Sequence, residues 1–148
     1  MEVTMNRKER AKAMFKEGFS CSQAILAAFS DEFGLPRETA LRISQGFGGG
    51  MARMAETCGA LTGAFMVIGL KNGRTQAKDD AAKEKTYALC QELVRRFRAR
   101  HGSLRCKELL GSDIGTPEGA KIARNEKLHD DLCPHLIVSA AEILEDLL

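Results

Sequence analysis

The sequence has no tryptophan, a single tyrosine and only three prolines in 148 residues. Sustained period-two alternation of apolar and polar residues is missing as well, which argues against a sheet fold. No apolar run approaches the length of a bilayer crossing, the longest lying around Ala64 to Leu70. The segment Met1 to Arg10 is charged and lacks the apolar stretch of an export signal, so a cytoplasmic location away from membranes is expected. Neither charge sign dominates: 22 Lys and Arg against 20 Asp and Glu leave a net +2, which gives no footing for nucleic-acid binding. Linkers, internal repeats and low-complexity tracts are also absent, and residues 1–148 read as a single helical domain. Finally, there is no Cys-x-x-Cys pair, which excludes zinc knuckles, a thioredoxin-type site, covalent haem attachment and a closely spaced ferredoxin run.

What is present is abundant Ala, Leu, Glu, Lys and Arg, good helix formers all. A first helix is expected from about Asn6 to Glu17, with Gly18 as a left-handed cap. Ser20 and Gln23 form a capping box for a second, whose stripe is Ala24, Ile25, Ala28 and Phe29. Pro36 opens a third, burying Ala40, Leu41 and Ile43. Thr57 caps a fourth through Leu70. A long fifth spans Ala77 to Arg100, with Leu89, Cys90, Leu93, Val94 and Phe97 on its apolar face. After a short turn from Ser103, the Thr116–Pro117–Glu118 start signal opens a helix reaching about His129. The last is expected to begin at Cys133–Pro134 and to bury Leu136, Ile137, Ala140, Ile143, Leu144 and Leu147. The expected fold is all-α, an irregular bundle of about six or seven helices.

Five cysteines in a reducing compartment point to metal or redox chemistry more than to static disulfides. Cys21, Cys58, Cys106 and Cys133 each fall in the expected first turn of a helix. Free N–H groups and the positive dipole end concentrate there, favouring thiolate and an anionic metal–sulfur centre. Cys90, mid-helix between Tyr87 and Val94, reads as a buried packing residue. A blander account makes any one of the four core filler, since cysteine is among the most buried residues.

Gln45-Gly46-Phe47-Gly48-Gly49-Gly50-Met51 fails as a dinucleotide fingerprint, because Met51 stands where the third glycine belongs and a helix precedes it. A turn is the simpler reading; close backbone approach to a cofactor is the other. In Cys58-Gly59-Ala60-Leu61-Thr62-Gly63-Ala64, Gly59 and Gly63 each cost about 1 kcal/mol in a helix relative to Ala. Either a neighbouring helix packs closely on them, or they clear space beside Cys58 for a cofactor.

These residues resemble the C_GCAxxG_C_C family, redox-active proteins of bacteria and archaea named for a lone cysteine, a Cys-Gly-Ala-x-x-Gly motif and two further single cysteines. Gly18-Phe19-Ser20-Cys21-Ser22-Gln23-Ala24 supplies the first, and Cys58-Gly59-Ala60-Leu61-Thr62-Gly63 the central motif, with Gly46-Phe47-Gly48-Gly49-Gly50-Met51 upstream. Cys106 and Cys133 supply the last two; Cys90 falls outside. The resemblance implies a redox role and an iron–sulfur prosthetic group. The family is also similar to the cluster-bearing part of split-Soret cytochromes, whose haem-attachment motif this chain lacks.

Three functional expectations follow. The first is electron transfer or redox sensing, with Cys21, Cys58, Cys106 and Cys133 holding one iron–sulfur cluster, most simply [2Fe–2S]. The second is a metal-free thiol–disulfide oxidoreductase using the same cysteines as redox-active groups. The third is a structural zinc on the four. Any of them is compatible with a homodimer. Arg95, Arg96, Arg98, Arg100, Arg105 and Lys107 form an acid-free basic segment, read first as helix C-terminal cations and second as a docking patch for an acidic redox partner. His129 and His135, though near Cys133, read as surface residues, and His101 as a helix C-terminal cation. Asp79, Asp80 and Glu84 read as a solvated first turn.

Overall fold

The computed structural model describes residues 5–148. Helices α1 (Arg7–Glu17), α2 (Cys21–Ser30) and α3 (Arg37–Ser44) lead to a single turn, α4 (Gly48–Met51). Then come α5 (Gly59–Asn72), α6 (Asp80–His101), the short α7 (Cys106–Leu110), α8 (Pro117–Asn125) and α9 (Leu128–Leu147). Among the described residues no strand forms, and one isolated antiparallel bridge joins Thr57 to Arg105. The all-α reading stands. None of the described helices is long and apolar enough to cross a membrane.

Local chemistry accounts for most boundaries. Asn6 accepts the Glu9 N–H at 2.8 Å to start α1, and Gly18, at φ 114°, ends it by donating to the Met14 and Phe15 carbonyls. Gln23 returns its Oε1 to the Ser20 N–H at 3.1 Å, the expected half of a capping box. Thr116 Oγ1 accepts from Gly119 N at 3.0 Å, with Pro117 at the first helical position of α8. Asp79 caps α6 through Ala82 N.

Helix α2 is the hub, and all ten of its residues are buried, not one stripe. It touches α1, α3, α5 and α9. Phe29, Ile25 and Leu26 are fully enclosed and contribute about 1.5–3 kcal/mol each by burial. Its polar groups are satisfied internally: Ser22 Oγ donates to the Ser44 carbonyl at 2.8 Å, and Gln23 Nε2 to the Leu41 carbonyl at 3.0 Å.

Several expected faces shift. Ile43 is 51% exposed, because the short α3 turns only Ala40 and Ser44, one turn apart, into the core. On α6 only Leu93 and Phe97 are buried; Cys90 is half-buried and, with Val94 and Tyr87, lines an outer groove. The largest correction concerns the last helix. Lys127, at φ 53°, separates α8 from α9, which starts at Leu128 and runs straight through Pro134. Leu128, Leu132 and Leu136 recur every fourth residue and all pack on the core, which sets the start a turn before the proline.

Between α3 and α5 the chain does something no periodicity predicts. Gly49 through Arg53 hold positive φ values of 65, 68, 71, 52 and 65°, a left-handed turn. Glu56 N closes it on the Gly50 carbonyl at 2.8 Å and Ala55 N on Gly49 at 3.2 Å. Left-handed geometry costs roughly 1–2 kcal/mol at each non-glycine residue, so Met51, Ala52 and Arg53 are held there by their surroundings.

Candidate functional site

Four cysteines distant in sequence line one small cavity. Cys21 is the first residue of α2 and Cys106 the first residue of α7, both in a first turn as expected. Cys58 is itself the N-cap of α5; Thr57, expected to cap that helix, is drawn instead into the bridge with Arg105, and α5 starts at Gly59. Cys133 departs from expectation, lying in the second turn of α9 instead of capping it. All four are buried, and the cavity they bound, about 20 Å³, is walled also by Gly49, Gly50, Gly59, His129 and Leu136. Cys90 lies elsewhere, on the α6 groove.

Three backbone devices bring them together. The segments around Thr57 and Arg105 run antiparallel: Cys58 N donates to the Leu104 carbonyl at 2.8 Å, and Cys106 N to the Glu56 carbonyl at 2.6 Å. That pairing sets two cysteines side by side across a long sequence separation. The left-handed turn then slides Gly50 beneath them, so close that a Cβ there would stand 2.6 Å from Cys106 Cβ and 2.7 Å from Glu56 N. The third device is the close seat of α2 on α5. A Cβ on Gly59 would lie 3.2 Å from Cys21 Cβ, and one on Gly63 2.8 Å from the Ser22 carbonyl oxygen. Gly59 therefore borders the cavity, whereas Gly63 serves the helix–helix contact.

The thiols differ in proton affinity, and not as helix starts alone would dictate. Burial pushes Cys58 up to about 12, although the Ala60 and Leu61 N–H groups at the start of α5 pull the other way. Burial likewise raises Cys106 to about 11, with the neighbouring Cys133 adding to it. Cys21 is raised chiefly by its hydrogen bond to Cys133, then by burial. Only Cys133 is lowered, first by the Cys21 hydrogen bond and next, against burial, by His129. Desolvation is the largest cause at Cys58 and Cys106, and at Cys58 it outweighs the N–H groups of the helix start. The one sulfur that readily carries charge is the one off a helix start.

His129 was legible only as a surface residue, yet it lines the cavity with Nδ1 3.6 Å from Cys133 Sγ. Contact with Cys133 raises its pKa. Its signal in the sequence is the four-residue spacing to Cys133, which puts both on one helix face. His101 is more than a terminal cation: its Nε2 lies 2.8 Å from Ser139 Oγ and its ring 4.7 Å from that of Phe97. The basic segment is largely answered by acids from outside it. Arg95 and Arg96 share Glu92, Arg100 reaches Glu142, and Arg105 lies between Glu56 and Glu108.

Among the described residues no three His, Cys, Asp or Glu side chains converge on a point that would hold a single metal ion. The cavity has room for about one water.

The family model described as "Putative redox-active protein (C_GCAxxG_C_C)" matches residues 19–147 of the chain. No curated protein and no solved structure matches it.

Proposed function

The chain belongs to the C_GCAxxG_C_C family of redox-active proteins, and from that premise we propose that its cysteine cavity is the redox centre, with Cys21, Cys58, Cys106 and Cys133 as ligands of an iron–sulfur cluster, [2Fe–2S] in the simplest case. The observation that carries this is four buried thiols from four separate elements bounding one cavity with no carboxylate in its wall. A bound cluster supplies one-electron transfer. The protein's part is to exclude water, to present four sulfurs with the His129 imidazole beside Cys133, and to let backbone approach closely at Gly49, Gly50 and Gly59. Raised thiol pKa values at Cys58 and Cys106 mean that ligation must release protons, so assembly favours higher pH.

A second reading rests on a different observation. Cys21 and Cys133 line the same cavity and perturb each other, raising the first thiol and lowering the second, and such a pair of neighbouring sulfurs suits a reversible disulfide. Two thiols would join as one disulfide, releasing two protons and two electrons to an acceptor. A structural zinc on the four sulfurs is the third reading, and it would add stability without redox chemistry.

Iron and acid-labile sulfide, measured on protein purified without oxygen, decide between them. Equal iron and sulfide with visible absorption are expected, lost in Cys106→Ser and retained in Cys90→Ser. Full iron in Cys106→Ser would sink the four-ligand centre. Metal-free protein that loses two thiols reversibly on mild oxidation would establish the Cys21–Cys133 couple instead.

A further inference from the structure

The cysteine cavity adjoins a much larger cleft. Cys21, Gly49 and His129 belong to the walls of both. The cleft, about 600 Å³, lies between the end of α1, the start of α2 and the left-handed turn. That volume is in the range of small-molecule sites.

Its lining has two distinct parts. Phe15, Phe19 and Ile114 provide an apolar wall, while Ser20, Gln23 and Gln45 provide neutral polar groups. No Asp or Glu lines it, though the chain as a whole carries 20. Arg53 does line it, exposed and fixed by a backbone at φ 65°. Among the described residues no carboxylate comes within ion-pair distance of Arg53, in contrast to Arg37 near by, which reaches Glu17 at 3.8 Å and covers the Phe19 ring. A guanidinium without a carboxylate, at the mouth of a partly apolar cleft, is a receptor for a planar anion.

We propose that this cleft binds a small organic anion, its carboxylate or similar oxyanion on Arg53 and its apolar part against Phe15, Phe19 and Ile114. The bound molecule then sits beside Cys21 at the only wall the cleft and the cysteine cavity share through a sulfur. Any link between the bound anion and the chemistry at Cys21 rests on the redox assignment of the cysteines; its binding does not.

The test is titration calorimetry of the full chain, as purified, with 3-phenylpropionate and with its neutral amide. Saturable binding of the acid is expected, several-fold tighter than the amide. Arg53→Gln should weaken the acid about tenfold, the loss of one charge-assisted contact, and leave the amide unchanged, while Arg53→Lys should retain most of the affinity. No saturable binding, equal binding of acid and amide, or an acid affinity untouched in Arg53→Gln each overturns the proposal. Iron and sulfide measured on the same samples keep the two questions apart. Intact iron without anion binding defeats the cleft alone, and anion binding without iron defeats the cluster alone.

Discussion

At Gly50 two independent restrictions meet: its φ of 68° is one that side-chain-bearing residues resist, and the space where a Cβ would go is filled by Cys106 and the backbone of Ala55 and Glu56. Gly111 has almost the same φ, 74°, but nothing within 4 Å of its missing Cβ. The pair separates backbone strain from crowding at the site. Gly111→Ala should cost about 1–2 kcal/mol in urea denaturation, and Gly50→Ala roughly 2–5, since overpacking adds to the strain. Equal losses would mean that the turn does not press on Cys106. The same scale explains the thiols. Ala60 and Leu61 N–H groups do reach Cys58, as a helix start provides, yet the fully enclosed sulfur ends near 12. A sequence shows which residue begins a helix, but not how completely water is removed from it.

Among elements, α5 tests how its small-residue face is used. Gly63 meets α2 at sub-van der Waals range for any added carbon, whereas Gly69, on the same helix, has open space. Gly69→Ala should therefore stabilise by about 0.5–1 kcal/mol through helix propensity alone. Gly63→Ala should destabilise by about 1–3 kcal/mol by prising α2 from α5. Denaturation midpoints of the two variants moving in the same direction would refute the close-packed seam. That seam was one of two readings the glycines allowed, the other being room for a cofactor beside Cys58, and for Gly63 it is the contact with Ser22 and Ile25 of α2 that speaks for packing. The start of α9 was not legible. Cys133–Pro134 has the look of a helix start, and the Leu128, Leu132, Leu136 series that overrides it gains meaning only against the core it packs on. His129 was lost with that boundary, since its four-residue spacing to Cys133 counts only if both lie on one helix.

Across the whole molecule, helix identity, the caps at Gly18, Ser20 and Thr116 and the apolar interiors of α2 and α9 were written in local pattern, and they agree with the structure because local propensity and burial point the same way. Convergence of the cysteines was not, since it depends on the Thr57–Arg105 pairing and on a left-handed turn, both fixed by tertiary contact. The contact between the far end of α6 and the middle of α9 is likewise nonlocal, and it makes stability depend on pH. His101 hydrogen-bonds Ser139 and is held below its ordinary pKa by burial, then by Arg100 and His135. The unfolded chain, with a histidine near 6.5, thus binds a proton more readily than the folded one. A depressed folded-state pKa gives a contribution that is present above about 6.5 and lost as pH falls through the lower folded value. The urea midpoint should accordingly drop between pH 7.5 and 5.5. His129 and Cys133 titrate in or near the same window, so the drop alone assigns nothing. The difference between wild type and His101→Gln isolates the α6–α9 contact, because the other two groups are common to both. Gln keeps a hydrogen-bonding group for Ser139 but has no proton to take up, so its midpoint should fall less over that interval. Identical pH profiles for the two proteins would show that His101 carries none of this dependence and that the α6–α9 junction is indifferent to its charge.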